Sequence, residues 1–214
     1  MLRFESARFA ISVAELAQLN RAPLAMVPEV AFAGRSNAGK STVINVLTGR
    51  RQLAHSSKTP GRTQLLNFFE LSERGQGGEQ AIRAYLVDLP GYGFAKLREE
   101  IRERWDELVG GYLAMRRLLA AVVLVTDVRR PLAAADEQLL AWLAAREDNT
   151  RLRVHILLNK ADQIGRAERA RLLAQIEHRA DALPMPVSVQ LFSALKREGL
   201  QELRETLAHA VEER

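Results

Sequence analysis

The chain has 214 residues, enough for one well-packed α/β domain and too few for two ordinary ones. It contains no cysteine, which excludes disulfides and thiolate metal sites. No stretch of membrane-spanning length is free of charge, so a cytoplasmic protein is expected. The formal net charge is +5, carried mostly by arginine, whose forked guanidinium suits phosphate groups; that balance is compatible with a nucleic-acid partner and equally with a merely solvated exterior.

In chain order, residues 1–28 read as an appendage in which Ser12-Val13-Ala14-Glu15 matches a capping box for a short helix, closed by Pro23 and Pro28. Residues 29–214 read as a single domain. The apolar run Val30-Ala31-Phe32-Ala33 predicts a strand. Directly after it, Gly34-Arg35-Ser36-Asn37-Ala38-Gly39-Lys40-Ser41 is a complete G-x-x-x-x-G-K-[ST] phosphate loop leading into a helix over 41–48. A triphosphate presents several anionic oxygens, and backbone N–H groups surround them only where glycine lets the main chain approach. The following helix aims its positive end at the phosphates, Lys40 reaches the outer ones and Ser41 ligates Mg2+. Outside that strand-to-helix context the same octet would be an ordinary glycine turn.

The polar segment His55 to Gln64 then fits a mobile switch, in which a hydroxyl is needed to complete the Mg2+ shell; Thr63 is preferred over Thr59 because it immediately precedes the next strand. Strands over Leu65–Leu71 and Ile82–Asp88, joined by a glycine-rich loop, read as a hairpin that places one antiparallel strand at the sheet edge. The second of them ends in Asp88-Leu89-Pro90-Gly91, a carboxylate at a strand's C-terminal end for Mg2+ and a glycine whose N–H can meet a terminal phosphate.

Beyond it a helix is expected over 97–115, a strand over Ala121–Asp127, a helix over 133–146, and a strand over Val154–Asn159 that ends in Asn159-Lys160-Ala161-Asp162. That tetrapeptide selects the base: guanine offers two adjacent N–H donors on one edge, an acceptor-only carboxylate such as Asp162 takes both, and adenine has no matching pattern. Asn159 is expected on the opposite guanine edge and the stem of Lys160 over the ring. A helix over 165–180 and a strand over Val187–Phe192 follow. The strand closes on Phe192-Ser193-Ala194-Leu195, whose small residues let a backbone N–H meet the guanine O6. The final helix, 198–212, carries Leu200, Leu203, Leu207 and Val211 on one stripe. His55, His155, His178 and His209 have no metal-ligand spacing, and Trp105, Tyr112 and Trp142 read as packing residues. Together these elements predict an α/β three-layer P-loop NTPase fold, with a mostly parallel six-stranded sheet, one antiparallel edge strand and helices on both faces.

Gly34-Arg35-Ser36-Asn37, the stretch Thr59 to Phe69 and the stretch Val87 to Lys96 closely resemble the bacterial EngB (YihA/YsxC) family of translation-factor-class P-loop GTPases, over nearly the whole chain. The resemblance implies GTP and GDP as ligands. It implies nucleotide contacts at residues 34–41, at Gly61, Arg62, Thr63, Gln64 and Leu65, at Asp88, Leu89, Pro90 and Gly91, at Asn159, Lys160, Ala161 and Asp162, and at Phe192, Ser193 and Ala194. Ser41 and Thr63 are the implied Mg2+ ligands. It further implies a role in large ribosomal subunit assembly, with that particle or its precursor as partner, and in cell division and septation; a monomer is favoured. Asn159 and Ala194 stand where this family often has Thr and a second Ser, departures that move toward the general GTPase pattern.

Tyr92 occupies the position where other small GTPases carry the glutamine that orients water. It is expected to pack outward, leaving hydrolysis to Lys40, Thr63, Gly91 and Asn37, at about 10⁻³ s⁻¹ or below without a partner. Related GTPases with a hydrophobic residue in place of that glutamine use an asparagine at the Asn37 position to bind K+, which the resemblance extends to this chain; Asn37 as a plain turn residue, or Arg62 as an internal positive charge, are the alternatives. A guanine-nucleotide sensor with negligible hydrolysis and a non-ribosomal partner is the second reading of function. A P-loop small-molecule kinase is opposed by Asn159-Lys160-Ala161-Asp162.

Overall fold

The computed structural model describes residues 2–19, 22–55, 65–74, 78–93, 103–147 and 151–213. Seven strands form one sheet: β1 (Arg8–Val13), β2 (Glu29–Gly34), β3 (Leu66–Arg74), β4 (Gln80–Asp88), β5 (Leu119–Asp127), β6 (Arg153–Asn159) and β7 (Val187–Leu191), in the order β1-β3-β4-β2-β5-β6-β7. Pairing is parallel from β4 through β2, β5, β6 and β7, while β3 runs antiparallel to both β4 and β1. The α/β architecture is the expected one, with a seventh strand outside the hairpin.

That strand comes from the segment read as an appendage. Ser12 does not cap a helix: its Oγ donates to Asn67 Oδ1 on β3 at 2.7 Å, and the N–H groups of Ala14 and Glu15 are taken by Gln18 Oε1 instead. Only the four-residue helix α1 (Leu16–Leu19) follows. Residues 8–13 of that segment are therefore part of the sheet, and Leu2, Phe4, Ala7 and Val13 are buried.

The sheet alternates its side chains between two cores. On one face Ala31, Val87, Val122, Leu124, Ile156 and Leu158 pack beneath α3 (Gly111–Met115), α4 (Ala134–Ala144) and α5 (Arg166–Ala180). On the other, Val30, Phe32, Leu86, Val123, Val125 and Leu157 pack beneath α2 (Lys40–Thr48) and α6 (Leu200–Glu212). The predicted stripe of α6 is the side that packs, with Leu203 and Leu207 fully buried. β5 is buried through Thr126, as a central parallel strand covered on both faces must be, and its apolar run follows from that position. Within the helix expected over 97–115, residues 103–115 are helical and carry a π-turn at Asp106–Gly110; residues 94–102 lie outside the described residues.

Strand order reverses around β2: the chain leaves it toward β4 on one side and later crosses to β5 on the other. In open α/β sheets that reversal opens a crevice beyond the strands' C-terminal ends. The predicted motifs at 34–41, 88–91, 159–162 and 192–194 all lie at that end.

Candidate nucleotide site

The phosphate loop begins at the last residue of β2 and ends in the first turn of α2. Gly34 packs against β5 so closely that a Cβ would come within 2.6 Å of the Val125 carbonyl oxygen. Asn37 and Gly39 both take left-handed backbone angles, φ 67° and 97°, which bend the loop back on itself. A Cβ on Gly39 would meet Asn159 Nδ2 at 2.4 Å, so glycine is required there on two counts. Lys40 opens α2 almost fully buried, and its Nζ forms an ion pair with Asp88 Oδ1 at the end of β4. Ser41 sits half-buried beside it in the same turn.

Two backbone contacts strap the loop to the D-x-x-G segment: Arg35 pairs with Tyr92 in a parallel bridge, and Ser36 N donates to Tyr92 O at 2.9 Å. Leu89 N donates to Phe32 O at 3.0 Å, continuing β4 along β2, and Pro90 O accepts the Trp105 Nε1 proton at 2.9 Å. Gly91 faces Ser36, where a Cβ would stand 3.3 Å from Ser36 Oγ.

Tyr92 packs inward, against expectation. Its ring meets Trp105 edge to face at 5.2 Å, and its hydroxyl donates to Asp136 Oδ1 at 2.6 Å. Burial, then the Asp136 carboxylate, push the phenol well above its ordinary range, so Tyr92 stays protonated as a donor. Asp136 also accepts from Ala133 N through Oδ2 at 2.9 Å, and burial raises its carboxyl pKa. The outward orientation fails because an aromatic pocket and a buried acceptor both await the ring on the α4 side.

On the base side, Asn159 is a brace. Its Nδ2 donates to Ala38 O at 2.8 Å and its Oδ1 accepts from Ala194 N at 3.3 Å, so one buried carboxamide joins the phosphate loop to the loop after β7. The second Nδ2 hydrogen is left for the guanine edge on which this residue is expected. Lys160 has φ 66°, and its Nζ donates to Asn37 O at 2.7 Å and to Asp127 Oδ2 at 2.8 Å, which lays its stem along the cleft. Ala161 N donates to Phe192 O at 3.0 Å, and Ser193 Oγ donates to Asp162 Oδ1. These bonds hold the Asp162 carboxylate and the Ala194 backbone on adjoining loops. Leu195 projects into solvent at 78% exposure.

Asp127, at the end of β5, was not singled out from sequence. The Arg129 guanidinium, then Lys160, hold its carboxyl well below the usual range, so it is a fixed anion that positions Lys160. Its signal was present: like Asp88 and Asn159 it ends an apolar parallel strand. Arg35, Asn37, Thr126, Arg129, Asp136 and Lys160 border a cleft of about 640 Å³ between these loops. Gly61, Arg62, Thr63 and Gln64 lie outside the described residues; Leu65 is half-buried just before β3.

A phosphate loop at the reversal point of a doubly covered parallel sheet, followed by D-x-x-G, N-K-A-D and S-A-L at the ends of β4, β6 and β7, defines a P-loop GTPase. The family model described as 50S ribosome-binding GTPase matches residues 29–160. The chain is 50% identical over 174 residues to the EngB GTP-binding protein of Thiobacillus denitrificans, covering 81% of this chain and 78% of that one. It is 40% identical over 205 residues to that of Coxiella burnetii, covering 96% and 92%. This chain belongs to the EngB family of GTP-binding proteins, and its activity is that of a GTPase. A crystal structure of an EngB GTP-binding protein shares the fold, with TM-score 0.61 at 24% identity over 87% of this chain and 100% of that one.

Proposed function

We propose that this GTPase is a Mg2+-dependent molecular switch in large ribosomal subunit assembly, acting in the cytoplasm and needed through that role for cell division and septation. The observation that carries the switch is the strap from Ser36 N to Tyr92 O, because it joins the phosphate-contacting loop directly to the segment after D-x-x-G. A γ-phosphate drawing on the Gly91 N–H pulls on the same segment, and its loss releases it. The ribosomal partner is supported by the matched family's description as 50S ribosome-binding. Among the described residues no helix is long and apolar enough to cross a membrane.

In this reading Gly34 to Ser41 cradle the phosphates, and Lys40 exchanges Asp88 for the β- and γ-phosphate oxygens. Asp162 accepts the two guanine N–H groups, Lys160 covers the ring, and Ala194 N exchanges Asn159 Oδ1 for O6. The oxygens at the α2 start and the end of β4 fit Mg2+: the Ser41 hydroxyl and the Asp88 carboxylate are hard donors, and this ion prefers few protein ligands alongside phosphates. Ser41 and Thr63 would hold it, and the bound ion would neutralise charge on the phosphate oxygens. With Tyr92 committed to Asp136, no side chain at that position orients water, so intrinsic turnover is about 10⁻³ s⁻¹ or slower. Asn37, exposed at the cleft, is the proposed K+ contact; faster hydrolysis in K+ than in Na+, lost in Asn37→Ala, is its sign.

The test is titration with GTP, GDP and ATP in Mg2+, followed by co-sedimentation with ribosomal subunits in each nucleotide state. GTP-dependent pelleting with the large subunit is the expected result. Tight guanine binding with no state-dependent pelleting removes the ribosomal role and leaves the GTPase.

A further inference from the structure

A second pocket, of about 370 Å³, lies at the opposite end of the sheet, and its cationic side chains are Arg3, Arg8, Arg50 and Arg74. β4 spans the distance between the two sites: Gln80, its first residue, lines this pocket, and Asp88, its last, belongs to the nucleotide site, roughly 25 Å away at the rise of an extended strand. The four arginines are exposed and come from four places: the turn before Phe4, the start of β1, the residue after the C-cap of α2 and the end of β3.

Backbone and side-chain bonds fix this wall. Ser6 Oγ donates to Arg3 O at 2.6 Å and accepts from Ser72 N at 2.9 Å, at a bulge where β3 shifts register against β4. Arg50 Nη2 donates to Glu5 O at 3.1 Å. The one carboxylate in the lining, Glu5, is engaged elsewhere by Arg204 at 2.6 Å. Among the described residues no carboxylate pairs with Arg3, Arg8 or Arg74.

We propose that this pocket is an anion site for the phosphate backbone of RNA, bound through Arg3, Arg8, Arg50 and Arg74; the proposal rests on the ribosomal reading above and places the RNA contact away from the nucleotide. Forked guanidiniums from separate elements suit phosphodiester oxygens spaced along a strand, and Ser6, Ser72 and Gln80 add neutral hydrogen-bonding groups. The lining has no apolar or aromatic anchor of the kind that centres a protein interface.

The experiment measures binding of a fluorescently labelled 20-base-pair RNA duplex by anisotropy across a salt series, with the wild-type chain and three variants. Arg3→Ala/Arg8→Ala/Arg74→Ala should weaken binding about tenfold or more and flatten the salt slope by roughly 0.9 per lost phosphate contact. Arg3→Lys/Arg8→Lys/Arg74→Lys should retain most of the affinity. Arg151→Ala/Arg166→Ala/Arg171→Ala, which removes equal charge elsewhere, should stay near wild type. GTP affinity, unchanged in all, reports folding.

Equal losses in the two alanine triples would overturn the pocket as a site and leave only diffuse charge. Pelleting with the large subunit that is undiminished in the Arg3/Arg8/Arg74 alanine triple would overturn the pocket while leaving the ribosomal role intact. Absence of both RNA binding and pelleting in wild type would sink that role as well. Binding to anionic lipid vesicles in place of RNA would also overturn the proposal.

Discussion

Asp162 and Tyr92 show how single side chains divide the work of this GTPase. Asp162 presents only acceptors, so Asp162→Asn places a donor against guanine's own N–H groups; GTP preference over xanthosine triphosphate should fall by about 1–3 kcal/mol, read by competition titration. Ser193 keeps a hydrogen-bond partner in that variant, so the fold survives the test. Tyr92→Phe removes the donor to a buried carboxylate that, among the described residues, retains Ala133 N as its one other hydrogen-bond donor, and should cost about 1.5–3 kcal/mol in urea unfolding. The phosphate loop, D-x-x-G and N-K-A-D were legible because backbone geometry and charge restrict those positions to few residue types. The direction of Tyr92 was not: a phenol beside a phosphate site reads alike whether it turns in or out, and its acceptor lies 44 residues further along. The bracing half of Asn159 was equally hidden, because nothing local reveals that Ala38 and Ala194 converge on it.

The elements are joined where β2 starts as well as where it ends. Glu29, fully buried, accepts from Tyr112 at 2.9 Å and from Arg116 at 2.5–3.0 Å, tying β2 to α3 and the turn after it. Glu29→Ala strands a guanidinium that is 84% covered and should cost about 3–5 kcal/mol, measured by thermal or urea denaturation with GTP affinity as control. Most elements were readable from period and punctuation, since β2, β5 and β6 are apolar runs bounded by turns. β1 escaped because an edge strand buries little: Phe9 is 58% exposed and only Val13 is fully enclosed, so its alternation is faint beside the nearby capping signal.

The whole molecule carries a buried histidine at the seam of its last two strands. His155 on β6 bonds Ser188 at 2.8 Å and Gln190 at 3.0 Å on β7, and burial holds its pKa below the usual value. The unfolded chain therefore takes a proton near pH 6.5 that the folded chain refuses. Stability contributed by neutral His155 is intact above that pH and declines as pH falls toward the lowered folded value, by at most about 1.4 kcal/mol per pH unit. His155→Gln should remove that part of the slope in urea unfolding between pH 7 and 5. The chain's two tryptophans stack on each other at 5.9 Å, and one of them also touches Tyr92 and binds Pro90 O. All indole emission thus originates from one spot against the D-x-x-G segment, which makes the unmodified chain its own optical reporter of that segment's position, with no dye or label required.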